Sequence, residues 1–249
     1  MNPGGQKLPV HEEFRNWCKR IGLKLSDKDL SQFAAYADLI REGNKRCNLT
    51  RILDDEGMYS KHFYDSLALC QLQPLKNDKI KNLLDVGSGA GFPSIPIKIV
   101  SPDLRVTTMD ARSKKVSFLQ TVCQQLALSR VECLVGRAEK LAHNPSLREA
   151  FDMVVARALA PLPVLLEYTL PFVRRGGIFV IMKGPPPPAM ELKAVESVLW
   201  RLGGNWGDQL QFSLPHNHGE RTLFTIKKEG VTPSDYPRAV GVPTRHPLV

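Results

Sequence analysis

Apolar residues at positions 30, 33, 34, 37 and 40 (Leu30, Phe33, Ala34, Ala37 and Ile40) recur at the spacing of one helical face. Ser26-Asp27-Lys28-Asp29 precedes that stripe as a capping-box pattern, in which the Ser26 hydroxyl accepts from the amide three residues on. Gly43 and Asn44 end this helix. Residues 11–72 read as helical, and a further amphipathic helix is expected over Met58 to Leu72, stopped by Pro74.

The pattern changes at Ile80. Asn82-Leu83-Leu84-Asp85-Val86 is a short apolar run that leads into glycines, followed by a helix from Pro93 to about Val100. Leu104 to Met109 predicts a strand, Lys114 to Leu126 a helix, Val131 to Val135 and Phe151 to Ala156 two more strands. A helix from about Pro163 to Val173 and a fifth strand at Gly177 to Met182 complete the alternation. Strands alternating with helices imply βαβ units and a parallel sheet covered on both faces. Gln209 to Leu214 and Thr222 to Lys227 predict two further strands, paired antiparallel at the sheet edge. The fold class expected is therefore α/β: a Rossmann-like, mostly parallel seven-stranded sheet with an N-terminal helical extension. The expected divisions are 1–79 for the extension, 80–229 for the core and 230–249 for a Pro-rich extended arm without periodicity.

Composition constrains function more loosely. The 249 residues are 43% hydrophobic and 24% charged, and no run approaches the length of a membrane span. Residues 1–10 lack a secretory signal pattern, and five scattered cysteines include no C-x-x-C pair, so a cytoplasmic protein without a disulfide framework is expected. No metal-ligand spacing is present, and a monomer is expected. The net charge of +9 is spread along the chain, which suits a polyanion such as RNA and equally suits a basic enzyme with no such ligand.

The turn after the first strand carries the chemistry. Glycine there lets backbone approach a ligand closely, because no Cβ intervenes. Asp85-Val86-Gly87-Ser88-Gly89-Ala90-Gly91 fails the dinucleotide pattern G-x-G-x-x-G, whose third glycine would fall at Phe92. An acidic residue two before G-x-G-x-G instead resembles motif I of Rossmann-like methyltransferases, which implies S-adenosyl-L-methionine as cofactor. Asp110, ending the second strand, is spaced to accept from both ribose hydroxyls. Ala138 and Glu139, just after the third strand, fall where such enzymes hold the adenine edge. Ala111-Arg112-Ser113-Lys114-Lys115 puts three cations in the first turn of a helix, against the macrodipole, and so points to an anion nearby.

The stretch after the fourth strand, Val155-Ala156-Arg157-Ala158-Leu159-Ala160-Pro161, has no Asn/Asp-Pro-Pro-aromatic box for amine methylation. No cysteine nucleophile for carbon methylation lies in the fourth- or fifth-strand loops either. What remains fits an acceptor with its own lone pair, such as guanine N7, methylated by positioning without a dedicated general base. Arg157 and Lys183, each following a strand, face the expected active edge of the sheet.

Taken in order, several stretches together resemble the bacterial RsmG (GidB) family of 16S rRNA guanine-N7 methyltransferases. They are Asn44 to Thr50, Lys61-His62-Phe63-Tyr64-Asp65-Ser66-Leu67, Leu84 to Pro93, Asp110 to Lys115 and Gly136-Arg137-Ala138-Glu139. Ala156-Arg157-Ala158, Met182-Lys183-Gly184, Tyr236-Pro237-Arg238, Gly241-Val242-Pro243 and His246-Pro247-Leu248 continue the match. Gly43, where many relatives carry Trp, and the prolines Pro185 to Pro188 depart from it. The resemblance implies cofactor contacts at Gly87, Phe92, Asp110, Ala111, Arg112, Ala138, Glu139 and Arg157, and substrate contacts at His62, Asp65, Lys114, Lys115 and Lys183. The partner it implies is 16S rRNA, in the 30S subunit or an assembly intermediate. On the residues alone three rivals stay open: a protein or small-molecule acceptor, a non-catalytic RNA-binding assembly factor, and a dinucleotide oxidoreductase that Phe92 disfavours.

Overall fold

The computed structural model describes residues 10–77, 79–185 and 189–249. Residues 1–9, read above for a signal pattern, and the last three prolines of the run, 186–188, lie outside the described residues. Strands β1 (Asn82–Val86), β2 (Arg105–Asp110), β3 (Val131–Val135), β4 (Phe151–Arg157), β5 (Val173–Lys183), β6 (Gly204–Ser213) and β7 (Glu220–Lys228) form one sheet in the order β3-β2-β1-β4-β5-β7-β6. The first five run parallel; β7 pairs antiparallel with β5 and β6 with β7. Winding runs outward from β1 to β3 and then resumes from β4 on the other side. The crevice between the carboxyl ends of β1 and β4 is thus a topological switch point, where open α/β sheets bind ligands.

Leu83, Leu84, Met153, Val154 and Val155 are essentially sealed from solvent, as central parallel strands covered on both faces require. Two elements start earlier than the hydrophobic pattern shows. β5 opens at Val173, because the preceding helix stops at Thr169 and a single 3₁₀ turn, Leu170–Phe172, follows. Pro171 lies in that turn; with no N–H and a ring that crowds the previous turn, it cannot extend the helix. β6 begins at Gly204, and a register shift between Trp206 and Gln209 breaks the alternation that would have marked its first half.

Helices α1 (Val10–Arg20), α2 (Asp27–Asn44) and α3 (a continuous helical run, 55–71) form the extension and pack against the core helices Ser94–Val100 and Ser113–Gln125. The α2 cap is reciprocal: Ser26 Oγ accepts from Asp29 N at 3.2 Å and Asp29 Oδ2 from Ser26 N at 2.8 Å. Tyr36, not Ala34, completes the buried stripe, and Ala34 is only half-buried. The α3 expectation needs more correction. From Met58 to Leu69 every residue except Lys61 is buried, so the helix has no polar face. It is wedged between the other helices and the core, and it winds as a π-helix over Met58–Tyr64. Pro74 does not stop α3. It sits in the first turn of the next short helix, Gln73–Lys76, where its missing N–H costs no bond.

The helical extension and the sheet domain share one apolar cluster. Phe63 lies at its centre, with ring centroids 5.0 Å from Phe33, 5.0 Å from Tyr59 and 5.4 Å from Tyr36. Ile95 and Ile99 of α4 (Ser94–Val100) and Leu119 and Val122 of α5 (Ser113–Gln125) close it from the core side. Residues beyond Gly230 contain one short helix, Val242–Arg245, and pack back on the core. Arg148 donates to the carbonyls of Thr232 and Tyr236, each at 2.9 Å. Arg238 grips the fully buried Glu167 carboxylate at 2.9 and 2.7 Å.

Because Phe63 ties both parts together, Phe63→Ala is expected to destabilise the whole chain by about 3–5 kcal/mol in a single transition. Urea unfolding followed by fluorescence and by circular dichroism tests this. Two separated transitions, or a loss under about 1 kcal/mol, would contradict the shared core.

Candidate cofactor and acceptor site

The turn after β1 is built by backbone that only glycine adopts without strain: Gly87, Gly89 and Gly91 have φ of +76°, +59° and +103°. A Cβ on Gly87 would also lie 2.5 Å from the Leu159 side chain. Gly87 N and Ser88 N both donate to Met109 O, at 2.9 and 3.0 Å, which fastens the turn to the end of β2. Asp85 is sealed beneath it. Its Oδ2 accepts from Ser94 Oγ at 2.6 Å, its Oδ1 has no partner, and burial pushes its pKa up to about 7 against the opposing Ser94 bonds.

Next to this turn is a cavity of about 410 Å³, within the range of small-ligand sites. Gly87, Asp110, Ala111, Arg112, Ala138, Glu139 and Arg157 line it, so seven of the eight residues expected at a cofactor come together. The eighth, Phe92, does not line it. It is buried behind the turn, stacked on His62 with centroids 4.4 Å apart, and Arg157 lies over its ring at 5.0 Å. Asp110 Oδ2 accepts from Gly89 N at 3.1 Å and Oδ1 from Arg112 N at 2.9 Å. Each oxygen keeps a second lone pair, and Lys115 Nζ stands 3.9 Å away. Glu139 is buried, and its Oε1 accepts from Gly241 N at 3.1 Å.

A second cavity, about 360 Å³, adjoins the first and shares Arg157 and Ala158 with it. His62, Asp65 and Lys183 line it, together with Lys61 and Arg221. Arg157 organises the junction. Its Nη1 donates to Asp65 Oδ2 and to Lys61 O, both at 3.2 Å, and its Nη2 lies 3.3 Å from His62 Nδ1. A guanidinium can only donate, so His62 Nδ1 is the acceptor and Nε2 carries the proton, given to Thr50 Oγ1 at 2.8 Å. The 3.2 Å approach of His62 Nδ1 to Lys61 O is then a contact between two acceptors, with no proton to share. Burial raises the Asp65 carboxyl, while Arg157 and Arg221 oppose it. Arg221 Nε approaches Asp65 Oδ1 only to 3.5 Å, an ion pair without a well-formed hydrogen bond.

The lysines separate. Lys183 pairs with Glu191 at 3.1 Å on the rim of the second cavity. Lys115 lines the first. Lys114 is exposed and faces a different groove, between α2 and α5, so the structure does not join it to the others. Sequence reasoning missed Arg221, Leu159 and Tyr168, which line the two cavities. No local pattern marks them, because each reaches the site from an element whose place only the tertiary fold sets. Among the described residues no cluster of His, Cys, Asp and Glu could hold a metal, and no helix is long and apolar enough to cross a membrane.

Burial and the Arg157 charge push the His62 pKa down to about 3. The imidazole is therefore expected to show no titration by NMR between about pH 5 and pH 8; a midpoint near 6.5 would contradict the Arg157–His62 bond. As pH falls from about 6.5 towards about 3, the unfolded chain takes up this proton first, so the His62 contribution to stability is lost across that window.

A family described as rRNA small subunit methyltransferase G (GidB) matches residues 29–200. The chain is 44% identical over 228 residues, 92% of each chain, to a ribosomal RNA small subunit methyltransferase G of Acetivibrio thermocellus. It is 41% identical to that of Leuconostoc mesenteroides, over 96% of this chain and 99% of the relative. Among solved structures, cofactor-bound Rv0187 of MTB shares the fold with TM-score 0.54 and 19% identity, over 90% of this chain and 100% of that one. By sequence, the chain belongs to the rRNA small subunit methyltransferase G family.

Proposed function

We propose that the chain transfers the methyl group of S-adenosyl-L-methionine to N7 of a guanine in the decoding-region loop of 16S rRNA, within the 30S subunit or an assembly intermediate. The observation that carries this reading is the junction itself: two cavities meet at Arg157 and Ala158, and the imidazole beside them has both nitrogens engaged. A reaction that needed proton removal would require a free base there, whereas the one carboxylate lining the second cavity, Asp65, is held between Arg157 and Arg221. Guanine N7 has a lone pair and no proton, so none is called for.

When bound, the cofactor supplies an electrophilic methyl on a sulfonium. The chain's part is to hold and align. In this reading Asp110 takes the ribose hydroxyls with its free lone pairs, Gly87 and Gly89 leave room for close approach, and Ala111, Arg112, Ala138 and Glu139 wall the nucleoside. Arg157 lies between the cavities and is fixed by three partners, so it orients without rearranging. Lys61, Lys183 and Arg221 give the acceptor side a cationic rim suited to RNA phosphate. Phe92 acts through His62 and Arg157, as the platform under both.

Purified protein, 30S particles and labelled S-adenosylmethionine should place label in one 16S rRNA guanosine, identified as 7-methylguanosine by mass spectrometry of digests. Label in protein or metabolites with none in rRNA would overturn the acceptor. Asp110→Ala is expected to weaken cofactor binding by roughly tenfold or more in calorimetry, the scale of a lost charge-assisted pair of hydrogen bonds. Unchanged binding would remove Asp110 from the site.

A further inference from the structure

The first cavity has a wall that its strand-end residues do not supply. Tyr168, near the end of α7 (Leu162–Thr169), lines it on the side of Ala138 and Glu139. Its hydroxyl meets Thr244 Oγ1 at 2.9 Å. Burial and the neighbouring Glu139 carboxylate raise its pKa, which keeps it a neutral phenol at ordinary pH. Glu139 in turn accepts from Gly241 N at 3.1 Å, where the chain turns with φ +80°. Both wall residues are therefore held by one segment, Gly241 to Thr244. That segment is fastened on its flanks: Arg238 binds the buried Glu167 of α7, one residue before Tyr168, and also His246 O at 2.8 Å.

We propose that Tyr168 is a further cofactor-contacting residue at the adenosine end of the cavity, and that residues 238–246 form part of the cofactor site by holding it. The inference rests on the cofactor reading above. A phenol ring beside an adenosine pocket offers a flat apolar surface to the base, and its hydroxyl is already satisfied by Thr244, so the ring is fixed before the ligand arrives. The contact lies away from the methyl, so it should act equally on S-adenosylmethionine and on the demethylated product. Linkage then requires the reverse effect: cofactor binding must tighten the segment.

The test uses the full chain. Calorimetry with S-adenosylmethionine and S-adenosylhomocysteine is compared for wild type, Tyr168→Ala, Tyr168→Phe and Thr244→Val. We expect Tyr168→Ala to raise both dissociation constants by about tenfold. Tyr168→Phe and Thr244→Val should raise them by smaller, similar factors, since each breaks the same bond, and in turnover the loss should fall on KM for S-adenosylmethionine rather than on kcat. Hydrogen exchange at residues 239–246 should slow when wild type binds cofactor. Binding by Tyr168→Ala within about twofold of wild type, or unchanged exchange in the segment on saturation, would overturn the proposal. Failure of the wild type itself to bind either ligand would instead overturn the cofactor reading.

Discussion

A desolvated guanidinium must be given partners, and the placement of Arg157 at the end of β4 shapes the site around that need. Burying such a charge costs several kcal/mol unless hydrogen bonds and an opposing charge offset it. Three of its partners come from α3: Asp65, His62 and the carbonyl of Lys61. Among the described residues none comes from the sheet domain's own helices. The helical extension is therefore part of the crevice at the switch point, and the aromatic cluster around Phe63 holds α3 where Arg157 can reach it.

That dependence explains why the extension is so apolar. From Met58 to Leu69 only Lys61 of α3 is partly exposed, and His62 and Asp65 carry their polar chemistry while buried. A surface helix could not hold these groups so closely, because long polar side chains on a solvated face keep their rotamer freedom. Packed on all sides, His62 is confined between Phe92 and Thr50, and its tautomer follows from Arg157.

The strands and the glycine turn were legible in the sequence because they rest on local rules: apolar runs, turn glycines and a carboxylate at a strand end. The fold class, the edge hairpin and the gathering of Gly87, Asp110 and Glu139 all follow from those rules. Phe92, in contrast, reads as a neighbour of the turn by position, yet its ring points away from the cavity into the core. The polar face expected on α3 failed because burial of a helix on every side is set by its neighbours, which no periodicity within 58–72 reveals. Arg221 and Tyr168 were invisible for the same reason. Glu139 lines the cavity, but its bond to Gly241 joins positions far apart in sequence, and no spacing rule connects them.

The π-helical winding of Met58–Tyr64 sets how the residues of α3 meet Arg157. Such a stretch holds one residue of slack relative to ordinary α-winding. Removing one residue from the stretch would restore ordinary winding and rotate one side of α3 relative to the other by roughly 100°. Where the deletion falls between His62 and Asp65, the two become i, i+2 residues on different faces and can no longer converge on one guanidinium. A single-codon deletion there would thus separate chain topology from site geometry, leaving a sheet and its helices recognisable while the crevice lost its organising contact.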